Sequence, residues 1–147
     1  MSNTIAIAAA VTAALVTAGY AEAERIYRAT FDLTDMDVRH ISVMPSELGI
    51  APMDRNATQD DTTIDVAIQK RISAAPNSAA AMTEIDDLMT TAEEIGDLFR
   101  LVELAGHTTA KWIGTAFAPM FIPEQLNRIH QFTSVVQLTF RERRAKV

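Results

Sequence analysis

The sequence predicts an α+β domain with a mostly antiparallel sheet of four to five strands and two helices packed on one face. The strongest observation is residues 132–141, FTSVVQLTFR, where apolar and polar side chains alternate as in a half-buried strand. Residues 78–101 instead repeat their apolar side chains at helical spacing. The full order is helix, three strands, helix, two strands, and 147 residues suffice for one domain with a real core.

The first element, residues 5–21, is apolar and rich in alanine. It has the composition of a signal-peptide core, but no Lys or Arg precedes Arg25, so a positive leading region is missing. As a membrane span it is marginal in length. We predict a helix capped at Ser2 or Asn3, with Gly19 just past its end. Its small side chains suit close packing on a sheet and on a neighbouring subunit.

Three strands are predicted next. The first covers residues 24–31, with Ile26 and Phe31 turned inward, and an acidic turn follows at residues 32–37. Residues 38–44 alternate until Pro45, which is expected to end the second strand. Residues 62–72, TTIDVAIQKRI, predict the third.

Between the second and third strands, residues 46–61 show no sustained period and contain glycine and proline. They predict a long loop, and such loops in compact domains usually bind a partner or remain mobile. Its candidate anchors are the apolar residues Leu48, Ile50 and Met53. The loop also has acidic and polar residues spaced as in a calcium loop, from Asp54 to Asp65, but Gln59 replaces the turn glycine, which argues against calcium.

The second helix begins at Asn77 or Ser78 and ends before Gly106, which is expected to stop the helical region. Its inner stripe includes Leu88, Ile95 and Phe99. The other side is acidic and is predicted to be a solvated face, the default for exposed carboxylates. These acids are Asp86, Asp87, Glu93, Glu94 and Asp97.

The C-terminal part predicts a strand over residues 109–116 anchored by Trp112, a short helical turn over residues 124–129 begun by Pro123, and the closing strand. Leu126 and Ile129 of the turn are expected to face inward. Residues 141–147 form a basic tail.

No residue set for catalysis, metal binding or a cofactor is found. The chain has no cysteine, its three histidines lie in separate elements without ligand spacing, and no nucleotide-binding or nucleophile motif occurs. The net charge of −6 argues against binding the outside of duplex DNA. We therefore predict a non-enzymatic protein. An enzyme of unknown substrate ranks third, after the two non-enzymatic alternatives described next.

The run APMFIPEQLNRIHQFTSVVQLTFRER resembles the C-terminal end of tail-terminator, or tail-completion, proteins of long-tailed bacteriophages. VRHISVMPSELGI, TTIDVAIQKRI and EIDDLMTTAEEIGDLFR fit the same family in the same order. The resemblance implies a virion protein of the neck, assembled in the host cytoplasm. It implies a homo-oligomeric ring, commonly six-fold, between the tail tube protein and the head–tail connector, with DNA passing through and no membrane partner. The alternative is an exported or host-encoded binding module with a cleaved signal peptide.

Within such a ring, the candidate interface residues are Leu48, Ile50, Met53, Arg141, Arg143 and Arg144. The basic tail is expected to meet an acidic surface on a neighbouring subunit or ring. The five carboxylates of the second helix are expected to line the lumen, where they repel DNA, or to face outside solvent.

Overall fold

The structure, a computed structural model, describes residues 2–27 and 37–145, and the side chains of 127–129 are outside that description. Within these residues the fold is α+β, with six strands and three helices rather than the four to five strands and two helices expected. The elements are α1 (Asn3–Thr17), β1 (Ala23–Arg25), β2 (His40–Asp54), β3 (Ala57–Arg71), α2 (Ala79–Leu98), β4 (Glu103–Leu104), β5 (His107–Phe117), α3 (Pro123–Ile129) and β6 (Gln131–Ala145).

The strands form one sheet in the order β1-β2-β3-β6-β5-β4. Its ladders are antiparallel except for the short parallel pair of β1 and β2. The alternation expected for β6 is confirmed, because its inward residues Phe132, Ser134, Val136, Leu138 and Phe140 are all buried.

Both long helices lie on the same face of the sheet. Gly96 of α2 lies against Phe117, which is paired in register with Val136. Asn3 at the start of α1 donates to Glu142, which lies on the same side of β6 as Leu138. Leu15 and Ile95 belong to one core together with the inner faces of β3 and β6. The expectation of two helices on one face holds for α1 and α2.

Three of the four predicted helix ends lie at the expected residues, and two of them show the expected capping bonds. Gly19 has φ 108°, and the N–H groups of Gly19 and Tyr20 bond to Val16 and Leu15 as in a Schellman motif. Ser78 caps α2 by accepting the N–H of Ala81. Ser2 is the N-cap of α1, although its side chain makes no capping bond.

The fourth case is wrong. The second helix ends at Leu98, and Gly106 instead occupies the turn between β4 and β5 with φ 77°. A glycine in the left-handed region serves a hairpin turn as well as a helix end.

Four predicted features fall wholly or partly outside the described residues. The first strand is shorter than predicted, since it ends at Arg25 and the described residues Ile26 and Tyr27 lie outside it. The rest of its predicted range, with Phe31, and most of the acidic turn fall within residues 28–36, which are not described. The end of the basic tail, residues 146–147, and the side chain of Ile129 are likewise not described. Pro123 does begin α3, and Leu126 packs against the core.

Candidate assembly surface

A three-stranded arm occupies the place of the predicted loop. The loop over residues 46–61 is wrong: β2 continues to Asp54, turns at residues 55–56 and returns as β3. The end of β6 pairs with the returning strand up to Ala145. We call residues 46–63 and 139–145 the arm.

The arm forms although residues 46–61 lack a strand period, because the part of β2 beyond Val43 is paired with β3 on one side and with no described strand on the other. Within the described residues, β1 pairs with β2 only as far as Val43, so Pro45 and Pro52 lie on an edge strand where a missing N–H is tolerated. A bulge between Pro45 and Glu47 absorbs the irregularity. At the tip, the N–H of Asn56 donates to Asp54 at 2.7 Å, which closes the turn.

The basic tail is the last part of β6, and its arginines pair with carboxylates of the same arm. Arg141 donates two hydrogen bonds to Asp61, at 2.9 and 3.0 Å, and these bonds lower the pKa of that carboxyl. Arg143 lies 3.2 Å from Asp54. The partners of these arginines in the structure are local, and the expected contact of the tail with an acidic surface on a neighbouring subunit or ring stays a prediction.

Arg144 forms the third pair of the arm, with Asp60 at 3.4 Å. Asp60 is almost fully buried and also accepts a hydrogen bond from Thr58. Asp54 and Asp60 are paired with arginines, and the residues that are spaced as in a calcium loop lie in the hairpin of β2 and β3. No cluster of three metal-binding side chains occurs in the part of the chain that the structure describes.

The predicted interface residues share the arm but lie on both of its faces. Leu48 and Ile50 are on the face that carries the helices, in register with Thr62 and Asp60. They are 45% and 61% exposed, and Met53 in the bulge near the tip is 48% exposed. Arg144 shares their face, whereas Arg141 and Arg143 project from the opposite one, since side chains alternate along a strand.

A second apolar surface, which the sequence did not reveal, lies between α1 and residues 98–105. It is a groove of about 400 Å³, floored by small side chains such as Ala13 and Ala14 and walled by Leu98 and Val102. Leu101 beside it is 83% exposed. Its φ of 58° is unusual for a residue with a side chain, and such strain is concentrated at functional positions. We call this surface the groove.

The alanine-rich sequence of α1 was the available signal for this groove. Alanines on the inner side, such as Ala8, are buried in the core, while Ala10 and Ala14 are only partly buried and border the groove. The other wall comes from the segment after α2, whose turns have no periodic signature.

The acidic side of α2 is solvent-exposed, as expected for Asp86, Asp87, Glu93, Glu94 and Asp97. None of the five forms an ion pair with a described basic residue. Glu94 accepts a hydrogen bond from the hydroxyl of Tyr20 at 3.2 Å. Burial and the nearby Glu94 charge raise the pKa of that tyrosine.

A more polar cleft of about 480 Å³ separates the first half of α2 from the ends of β2 and β3. Its two cations are already paired: Arg39 with Glu22 at 2.5 Å, and Lys70 with Glu84 at 2.9 Å. Because both cations are neutralised by carboxylates, the described lining of the cleft has no unpaired positive charge. The arm and the groove are therefore the surfaces best suited to contact a partner.

No protein-family model matches this sequence, and comparison with curated proteins found no significantly similar sequence. Across residues 2–27 and 37–145, no helix is both long and apolar enough to cross a membrane.

Proposed function

We propose that this chain is a non-enzymatic structural protein of the phage neck. It forms a ring, with six copies as the expected number, that caps the head-proximal end of the tail tube and joins it to the head connector. DNA passes through the ring without sequence recognition.

The arm is the observation that carries the proposal. It presents Leu48, Ile50 and Met53 to solvent along a strand edge that no described strand covers beyond Val43. Exposed strand edges and exposed apolar side chains favour association with another chain, and monomeric proteins usually avoid both features. A ring subunit uses such surfaces because a head-to-tail contact that closes by rotation covers every copy alike.

The charge of the chain supports a passage for DNA rather than a binding site for it. The three arginines at the end of β6 are paired within the arm, and α2 exposes five carboxylates without described cationic partners. An acidic inner wall would repel the DNA backbone and let it slide. We assign the acidic side of α2 from Asp86 to Glu94 to the lumen side of the ring on this ground.

The alternative, an exported binding module with a cleaved signal peptide, is disfavoured by the packing of α1. Ile7, Val11 and Leu15 are buried in the same core as β3 and β6. Cleavage after residue 21 would expose that core to water.

Immunogold electron microscopy of purified phage particles tests the proposed function directly. We expect label at the junction of head and tail, and ring-shaped particles in the purified protein or on isolated tail tubes. Label elsewhere in the virion, or none, would refute the neck assignment. A mature chain lacking residues 1–21 would favour the exported module.

A further inference from the structure

We propose that the arm of one copy docks in the groove of the next copy, so that the ring is held by a head-to-tail exchange of arms. This inference rests on the proposed ring and identifies the contact between its subunits. The occupant of the groove is a second copy of this chain.

The first support is that the chain exposes two apolar surfaces that do not cover one another. Ile50 remains 61% exposed on the arm, and Val102, which lines the groove, remains 44% exposed. Residues of the arm are absent from the groove lining. Hydrogen-bonded ladders hold the arm as a continuation of β2, β3 and β6. Contact between copies would bury both surfaces at once.

Size and shape also agree. The groove of about 400 Å³ is lined on one side by alanines of α1, so it leaves space for one or two larger side chains. Ile50 and Met53 are three residues apart, which in an extended strand corresponds to about 10 Å. Met53, with its flexible thioether side chain, suits an irregular apolar groove. Ile50 would then contact Leu101 or Val102 at the rim.

Charge complementarity places the tip of the arm at the end of α2. Arg55 at the tip has no carboxylate partner, and Asp97 has no cationic partner, among the described residues. Arg55 follows Met53 by two residues, so both reach the same region. The last turn of a helix also favours a cation through its dipole.

The complete lack of cysteine allows a clean cross-linking test. Ile50→Cys and Val102→Cys introduce one thiol on the arm and one beside the groove, both at exposed positions. The full-length double variant is concentrated, oxidised and run on a non-reducing gel. We expect a ladder of covalent oligomers, because each copy offers one thiol to each neighbour.

Matched controls separate this contact from other forms of association. Ile50→Cys paired with Ala80→Cys, an exposed position on α2 far along the chain from the groove, should form no covalent oligomers and run as a single chain on the non-reducing gel. Efficient linking in the single variant Ile50→Cys would show arm-to-arm pairing along β2 edges and would overturn the proposal. So would a double variant that stays uncross-linked at concentrations where wild-type protein forms rings.

A mixing experiment gives a second readout that does not depend on disulfides. Ile50→Asp damages the arm and Val102→Asp damages the groove, so each variant alone should be monomeric. An equal mixture should form pairs, since one intact arm meets one intact groove, but no rings. If Val102→Asp alone still forms rings, the groove is not the contact; the neck function would survive that result and is judged separately by the immunogold label.

Discussion

Replacing Leu15 with alanine should destabilise the protein strongly, because α1 is part of the core. Leu15 is completely buried and belongs to the cluster that includes β3 and β6. A buried Leu→Ala change typically costs about 2–5 kcal/mol of unfolding free energy, from lost burial and the remaining cavity. The neighbouring Val16 is 47% exposed, so Val16→Ala should change stability by about 0.5 kcal/mol or less.

Urea denaturation, followed by circular dichroism and by fluorescence of the single tryptophan, measures both variants. The midpoint should fall clearly for Leu15→Ala and hardly at all for Val16→Ala. Equal, small effects would refute the packing of α1 in the core.

The same reasoning predicts that a chain lacking residues 1–21 does not fold. Ile7, Val11 and Leu15 are all at most 1% exposed. Burying each side chain contributes about 1.5–3 kcal/mol, or roughly 5–9 kcal/mol for the three. Domains are stable by only about 5–15 kcal/mol in total, so this loss is comparable to the entire stability. A well-folded truncated chain, with a cooperative thermal transition, would contradict the structure and revive the cleaved-signal alternative.

Three further predictions concern capping, pH and DNA. Ser78→Ala should cost about 1 kcal/mol because it removes the cap of α2, whereas Ser2→Ala, whose hydroxyl makes no capping bond, should be nearly neutral in the same urea assay. Burial raises the pKa of Asp65, so the charged carboxylate destabilises the folded state at pH values above 3.8, the pKa of the unfolded chain. Asp65→Asn should therefore raise the melting temperature at pH 7, and this gain should be lost below pH 3.8. The opposite holds for Asp61, because hydrogen bonds from Arg141 lower the pKa of its carboxyl. Asp61→Asn should therefore lower the melting temperature at pH 7, and this effect should disappear as acid protonates the wild-type carboxyl. A shift of the melting temperature in the same direction for both variants would contradict the opposite environments of the two carboxyls. Finally, wild-type protein should not bind duplex DNA at low salt in an anisotropy titration. The double variant Asp54→Asn with Asp61→Asn removes the carboxylates that pair with Arg143 and Arg141, so it should bind DNA in a salt-sensitive way. Equally tight binding by the wild type would show that its arginines are already available.

The elements predicted correctly are those whose burial is one-sided and whose local chemistry is complete. The strand β6 alternates because one face lies on the core, and the stripe of α2 from Leu88 to Phe99 is buried for the same reason. Gly19 and Ser78 mark helix ends through bonds to residues within the next or preceding turn. Such features can be predicted from nearby residues alone, without knowing which strand or helix packs against them.

The arm illustrates a structure that local sequence does not encode. Residues 57–61, ATQDD, lack strand character, yet they pair on one side with β2 and on the other with the end of β6. The partners are far away in sequence: Asp61 meets Arg141 across 80 residues. The loop prediction failed because it considered proline as a breaker, whereas an edge strand tolerates the missing N–H of Pro45 and Pro52.

Local patterns in the chain were enough to predict the α+β class, the inner faces of β6 and α2, and the three apolar and three basic residues that the structure gathers on one arm. Long-range packing was needed to form these residues into a three-stranded ribbon, to neutralise the arginines with its carboxylates, and to form a groove between α1 and residues 98–105. The physical reason is range. Periodicity and capping act within a few residues, whereas a sheet edge, an ion pair between strands and a groove exist only after distant segments have packed together.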